Sequence, residues 1–163
     1  MIVRRELLSD HDPVRSLFAA VTSPELIDRL RASDAWRPEL SFLALGEGGR
    51  ITGYVAGMRA QVGSAPALAL VPPSVDPDQR SRGVGQALMH AVLGAAEALN
   101  EPLVGLLGMP PEYHLRFGFR PAEEFAIITP VEDLRRYFLV RPLAAYDESL
   151  RGAFSFPEAF LGA

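Results

Sequence analysis

Between Val71 and Leu88 the chain reads V-P-P-S-V-D-P-D-Q-R-S-R-G-V-G-Q-A-L, an apolar run broken by two prolines that turns through Arg80 to Gly85 into a helical pattern. Proline cannot donate a hydrogen bond, so a strand holding Pro72 and Pro73 loses pairing on at least one side and is expected to splay or bulge there. Gly83 and Gly85 carry no side chain to block an approaching group, and the first NH groups of the following helix have no intrahelical partner. Those donors, the helix dipole and the Arg80 and Arg82 guanidiniums all favour negative charge. A strand, a glycine turn and a helix in this order predict an α/β fold with an anion site at the carboxyl end of the strand.

The flanking segments supply the rest of the sheet. Ile2 to Arg5 reads as a first strand, and Asp12 to Val21 and Pro24 to Ala32 read as helices, the first starting at Asp10 or Asp12 before Pro13. Leu26, Ile27 and Leu30 form one apolar stripe on the second helix. Leu40 to Leu45 and Arg50 to Arg59 are strand-like runs joined by Gly46-Glu47-Gly48-Gly49, a hairpin signal, and Gly53 and Gly57 point to close approach by another group. Gln61 to Pro66 reads as a turn and Ala67 to Val75 as the next strand. At about 100° per residue, Val84, Leu88, Ala91, Val92, Ala95 and Leu99 share one face of the helix after the glycine turn, with Gln86, His90 and Glu97 opposite. Leu103 to Leu107 is wholly apolar, as a buried parallel strand requires. Pro110-Pro111 opens a short helix that Phe117-Gly118-Phe119 ends, and Phe125 to Ile128 and Tyr137 to Leu143 are the last candidate strands.

A chain of 163 residues predicts one domain, 1–163, large enough to bury a core without disulfide or metal. It has no cysteine, no H-E-x-x-H and no G-x-S-x-G, so no metal site is expected. The amino terminus does not read as a leader, and Ala65 to Val71, among the longest apolar stretches, falls far short of the ~20 residues that cross a bilayer. A soluble, cytoplasmic protein with no membrane partner is the expectation. A net charge of -4 argues against a broad nucleic-acid surface and suits an amine or cationic partner. A homodimer is the common prior for a soluble protein.

The pattern Gln/Arg, two residues, Gly, any residue, Gly/Ala arises by chance in roughly 15% of chains this long. Two competing phosphate loops are excluded: Leu88 stands where a dinucleotide fingerprint needs Gly or Ala, and Gly-Lys-Ser/Thr is missing. A second motif follows about 30 residues on. It reads Gly108-Met109-Pro110-Pro111-Glu112-Tyr113-His114-Leu115-Arg116-Phe117-Gly118-Phe119-Arg120-Pro121. With both motifs in this order, the chain resembles the GNAT superfamily of N-acetyltransferases, whose R/Q-x-x-G-x-G/A loop and Tyr-x-x-x-Gly-Phe element they match. Leu30 to Ser33, the hairpin before Gly53 and the tail from Phe154 to Phe160 look like an uncharacterised bacterial branch of that superfamily.

The resemblance implies a mixed, mostly antiparallel central sheet flanked by helices, with a splayed strand before the pyrophosphate loop. It implies acetyl-coenzyme A as co-substrate and direct acetyl transfer to a primary amine of a small molecule or peptide. The alternative is a non-catalytic acyl-coenzyme A-binding module. Matched residue by residue, Pro73, Ser74 and Val75 lie where backbone groups meet the pantetheine arm. Ser81, Arg82, Gly83, Val84, Gly85 and Gln86 lie where NH groups surround the pyrophosphate, and Arg80 opens the motif. Arg116 and Arg120 are candidates for the remaining phosphate, against the plainer reading of solvated arginines.

Four residues before Gly118, where the family usually places tyrosine, stands His114, with Tyr113 one earlier. The leaving thiolate, with a pKa near that of cysteine at about 8.5, needs a donor at sulfur. Three readings stay open: His114 is the acid, a helix shift lets Tyr113 serve, or the site binds cofactor without efficient transfer. Tyr113 and Phe117, spaced i, i+4, are otherwise a packing pair. A lysine-like amine is neutral in about one molecule in 2,500 at pH 7, so a base or water chain is also required. Glu25, Asp34, Asp76 and Glu112 are candidate carboxylates, and Trp36 and Phe42 candidate pocket walls. His11 has no evident partner.

Overall fold

The structure is a computed structural model that describes residues 1–160, so the last three residues of the expected 1–163 unit lie outside the described residues. Its strands are β1 (Ile2–Arg5), β2 (Trp36–Leu45), β3 (Ile51–Val62), β4 (Ala65–Val75), β5 (Leu103–Leu107), β6 (Arg120–Pro121), β7 (Ile127–Ile128), β8 (Phe138–Pro142) and β9 (Gly152–Ser155). They form a sheet in the order β1-β2-β3-β4-β5-β8-β6, with β9 pairing the end of β3 and also β7. All pairs are antiparallel except β4 with β5 and β7 with β9.

The two prolines act as their chemistry demands. Tyr54 of β3 pairs Ser74 and Ala56 pairs Val71, so Pro72 and Pro73 together oppose Val55 alone, and β4 bulges there. On its other side β4 pairs β5 only at Leu68 with Val104 and Ala69 with Gly105. Beyond Ala69 the two strands separate, while Leu106 and Leu107 of β5 continue to pair with Leu139 and Phe138 of β8.

Helices α1 (His11–Val21) and α2 (Pro24–Arg31) cover one face of the sheet, where Leu43, Tyr54, Ala56, Met58 and Val71 meet Val14, Phe18, Ile27 and Leu30. Helix α3 (Val84–Ala98) covers the other, over Leu40, Ala44, Val55, Leu68 and Leu70. The period of two along β3 sends Tyr54, Ala56 and Met58 to one layer and Val55 to the other. A Cβ on Gly53 would come within 2.7 Å of Val84 Cγ1 and 2.8 Å of Leu88 Cδ1, and one on Gly57 within 3.2 Å of Leu40 Cβ. Both glycines thus mark close approach. A third cluster joins Phe138, Phe154 and Phe156, with ring centroids 4.7 to 5.3 Å apart.

Several boundaries differ from the sequence expectation. β3 runs on to Val62 and β4 starts at Ala65, so the turn expected over Gln61 to Pro66 contracts to Gly63-Ser64; Gly63 has φ +60°. Of the residues placed on the buried face of α3, Leu99 is 45% exposed, whereas Met89, Leu93 and Ala96 are buried. His90 is exposed as expected, and its ring meets Phe117 edge-on. Asp10 does not cap α1 with its side chain: its carboxylate accepts from the Leu7 NH at 2.7 Å and from Arg4 at 2.7 and 3.0 Å. Those bonds hold its pKa below the ordinary carboxylate value, with the Arg4 hydrogen bond the largest cause. Only Ile127–Ile128 of the expected 125–128 strand pairs, and β9 was absent from the expectation altogether.

Candidate active site

Where β4 leaves β5, a cleft of about 690 Å³ opens between the strand ends. Pro72, Pro73 and Val75 form one wall, and the segment from Gln79 to Gln86 closes one end. Helix α4 (Pro111–Leu115) forms the facing wall through Tyr113, His114 and, just past its end, Arg116. Leu107, Met109 and Pro110 complete the end next to β5, and Val21 enters from the end of α1.

The glycine turn has the geometry of an anion cradle. Gly83 takes φ +82°, open to glycine at no steric cost, and nothing lies within 4 Å of where its Cβ would be. Ser81, at φ +63°, shares the left-handed region. The first helical hydrogen bond runs from the Ala87 NH to the Gly83 carbonyl at 3.0 Å, which leaves the Val84, Gly85 and Gln86 NH groups free for a ligand. The turn is braced from behind. The Asp76 carboxylate accepts from the Asp78 NH at 2.9 Å and pairs with Arg50, while the Gln79 NH bonds the Asp76 carbonyl at 2.8 Å.

Ten of the twelve residues nominated from sequence line this one cleft: Pro73, Val75, Arg80, Ser81, Gly83, Val84, Gly85, Gln86, Tyr113 and His114. Ser74 does not, being 8% exposed within the β3–β4 pairing, and Arg82 is exposed outside it.

The two α4 candidates point to different ends. The Tyr113 hydroxyl lies 3.0 Å from the ideal Cβ position of Gly85, on the phosphate-loop side. Its ring packs on Phe117 at 5.6 Å, the expected i, i+4 pair, and carries the Arg116 guanidinium 4.5 Å above its centroid. His114 instead lies against Gly108 just past β5, where its Cδ2 is 2.6 Å from the ideal Cβ position. The residue is 4% exposed, and Nδ1 is fully buried with no hydrogen-bond partner. Burial pushes its pKa below the ordinary imidazole value. With Nδ1 sealed, Nε2 is the ring nitrogen left for a hydrogen-bond partner. A neutral ring that carries its proton on Nε2 avoids a buried unpaired NH and presents a donor to the cleft.

The other sequence candidates lie elsewhere. Arg120 pairs with Glu124 at 3.3 Å on the surface. Glu25, Asp34, Asp76, Glu112, Trp36 and Phe42 do not line the cleft; Glu25 accepts from the Ser23 hydroxyl and Asp76 braces the turn. His11 sits 3.4 Å from Glu6, which also binds Arg31 at 2.6 Å. Sequence reasoning missed Val21, Pro72, Gln79, Leu107, Met109 and Pro110 as lining residues. Pro72 and Gln79 adjoin the nominated loop and were within reach, whereas Val21 comes from a helix with no mark of its role.

Among the described residues no helix is long and apolar enough to cross a membrane, and no cluster of His, Asp and Glu has the makings of a metal site. The Acetyltransferase (GNAT) family model matches residues 8–119. No curated protein matches the chain significantly. Among solved structures, the GNAT family N-acetyltransferase YhbS from Escherichia coli, in complex with CoA, superposes with a TM-score of 0.88 at 24% identity, over 98% of this chain and 91% of that one. A GNAT family acetyltransferase from Brucella melitensis, in complex with acetyl-CoA, gives a TM-score of 0.77 at 25% identity over 98% and 97%. The ribosomal-protein-S18-alanine N-acetyltransferase from Escherichia coli gives 0.65 at 14% over 91% and 97%, a likeness of fold. With more than half its length matched by the family model, and a splayed strand, glycine turn and helix at its centre, the chain belongs to the GNAT acetyltransferase family.

Proposed function

We propose that this protein is an acetyl-coenzyme A-dependent N-acetyltransferase that moves the acetyl group directly to a primary amine of a small molecule or peptide. The observation that carries the reading is a single cleft running from a helix N-terminus with three free NH groups to a buried imidazole at the strand splay. Anions bind at such termini because donors and dipole act together. In this reading Ser81 to Gln86 and Arg80 hold the pyrophosphate. Pro73, Ser74 and Val75 offer backbone along the pantetheine arm, of which Pro73 has only a carbonyl. His114 Nε2 then donates to the sulfur as the C–S bond breaks, and Tyr113, against Gly85, walls the arm. The absence of cysteine from the sequence suits direct attack by the amine.

Calorimetric titration with acetyl-coenzyme A, followed by thiol release with amine acceptors, tests this. Any thiol must come from the cofactor, since the protein has none. Saturable micromolar binding and amine-dependent release are expected, and His114→Ala should slow turnover by about 10²- to 10⁴-fold with little change in affinity. No binding at millimolar cofactor overturns the reading. The second reading, a non-catalytic acyl-coenzyme A-binding module, is favoured by histidine at the position of the family's tyrosine. Tight binding without release to any amine would select it.

A further inference from the structure

The pairing of β3 with β4 continues past the end of β4 into the segment that leads to the glycine turn. Val75 pairs Gly53, and the Asp76 NH bonds the Thr52 carbonyl at 2.8 Å, so Asp76 is tied to the start of β3, next to Arg50. The hairpin fixes Arg50 in turn, since the Gly46 NH bonds its carbonyl at 2.8 Å. One oxygen of the Asp76 carboxylate accepts from the Asp78 NH at 2.9 Å, and the other pairs with the Arg50 guanidinium. The Gln79 NH bonds the Asp76 carbonyl, and Gln79 and Arg80 are the next residues to line the cleft. Arg50 and Asp76 do not line it. They face a second cavity of about 500 Å³ together with Arg4, Asp10, Leu17 and Leu45, in which Arg4 is taken up by Asp10 at 2.7 and 3.0 Å. Only 13% of the Asp76 side chain is exposed, so water screens its charge poorly, whereas the neighbouring Asp78 is exposed and well screened.

Resting on the transferase reading above, we infer that Arg50 is a positioning residue for the pyrophosphate: it cancels the charge of the carboxylate that shapes the turn, so the turn keeps its form without repelling the phosphates. An aspartate at 76 supplies the acceptor that ties back the NH two residues on. Unpaired, the same carboxylate would set a poorly screened negative charge beside an anion site and act against the helix dipole. Arg50 removes that repulsion from outside the cleft, through Asp76 and without touching the cofactor. Affinity for the pyrophosphate then follows the net charge of residues 50 and 76 taken together.

Calorimetric titration with coenzyme A and with its 3'-dephosphorylated form, at about 50 mM salt, tests this as a ladder of charge. Both ligands keep the pyrophosphate. Arg50→Ala leaves one net negative charge and should weaken both by the same factor, about five- to tenfold, a loss that shrinks toward 0.5 M salt. Arg50→Lys keeps the cation and should stay within about twofold of the natural protein. So should Arg50→Ala combined with Asp76→Asn, which restores neutrality while asparagine still accepts from the Asp78 NH. Asp76→Asn alone leaves one net positive charge and should bind at least as tightly as the natural protein. A loss in Arg50→Ala that the double variant does not recover would make the pair a structural brace and overturn the inference, whatever the urea midpoints of the two variants. Unchanged affinity in Arg50→Ala would also overturn it. A loss confined to coenzyme A would do so as well, by making Arg50 a direct contact of the 3'-phosphate. Failure of the natural protein to bind either ligand would instead overturn the function on which the inference rests.

Discussion

Tyr113 closes over Gly85: its hydroxyl lies 3.0 Å from where a Cβ on that glycine would sit, with Val75 Cγ2 at 3.7 Å and Pro73 Cβ at 3.9 Å from the same point. Four residues from three segments thus converge on one narrow waist of the cleft. Gly85→Ala removes a helix glycine, which favours stability by up to about 1 kcal/mol, but forces the phenol to shift. We expect thermal stability to hold and acetyl-coenzyme A affinity to fall about tenfold. Adding Tyr113→Phe removes the obstructing oxygen, so the double variant should recover most of that affinity. Additive losses in calorimetry would show that the waist is not the cause.

Gly83 separates backbone strain from charge. Aspartate and asparagine are nearly equal in size and both tolerate positive φ better than other residues, so each meets φ +82° at comparable cost. Gly83→Asp should lose acetyl-coenzyme A binding by 10²-fold or more, because its carboxylate faces the phosphates. Gly83→Asn should stay within about tenfold of the natural protein. Equal losses in the two would move the pyrophosphate away from this turn.

On the sheet, Gly53 is the seat of α3. Its added methyl in Gly53→Ala would overlap Val84 Cγ1 and Leu88 Cδ1 and lift the first turns of the helix from β3. A loss of about 1–3 kcal/mol in urea unfolding is the expected cost of such overpacking. Since those same turns present the free NH groups, cofactor affinity should fall with stability. An unchanged urea midpoint would mean that helix and sheet are less closely fitted than these distances require.

His114 also couples stability to pH. Its folded pKa is depressed by burial, so the unfolded chain binds the proton more readily. The stabilising effect of the neutral ring is fully present above the unfolded value near 6.5 and is lost as pH falls through the lower folded value. Unfolding free energies measured by urea between pH 7.5 and 5 should therefore decline, and His114→Gln should flatten that decline. The same slope in both proteins would assign the acid sensitivity to other groups.

How much of this could be read from the chain depends on how local each determinant is. The prolines at 72 and 73, the glycine turn and the two glycines of β3 act through covalent constraints of their own residues, and the splay, the cradle and the close approaches follow from them. The face of α3 was misjudged at its end because Leu99 lies past the helix and is exposed, while Met89, Leu93 and Ala96 are buried in one cluster with Leu40, Val55 and Leu68 of the sheet. Pairing of β9 with β3 and β7 joins residues about 90 and 25 positions apart, for which a four-residue segment offers no periodicity to detect. The candidate site divided in the same way. Its loop was legible as a contiguous motif, but the burial of His114 and the entry of Val21 depend on how α1, α4 and β5 meet.

The separation of β4 from β5 after Ala69 leaves peptide groups of both strands unpaired across the gap in which the cleft opens. Peptide groups are the one part of a protein that substitution does not alter. A binding surface of this kind survives long drift in side chains, provided that the strands keep parting at the same place. About three quarters of positions can differ from YhbS while the backbones still superpose with a TM-score of 0.88. Variation is then free to accumulate on the walls, where His114 and Tyr113 stand, without disturbing the groove between the strands.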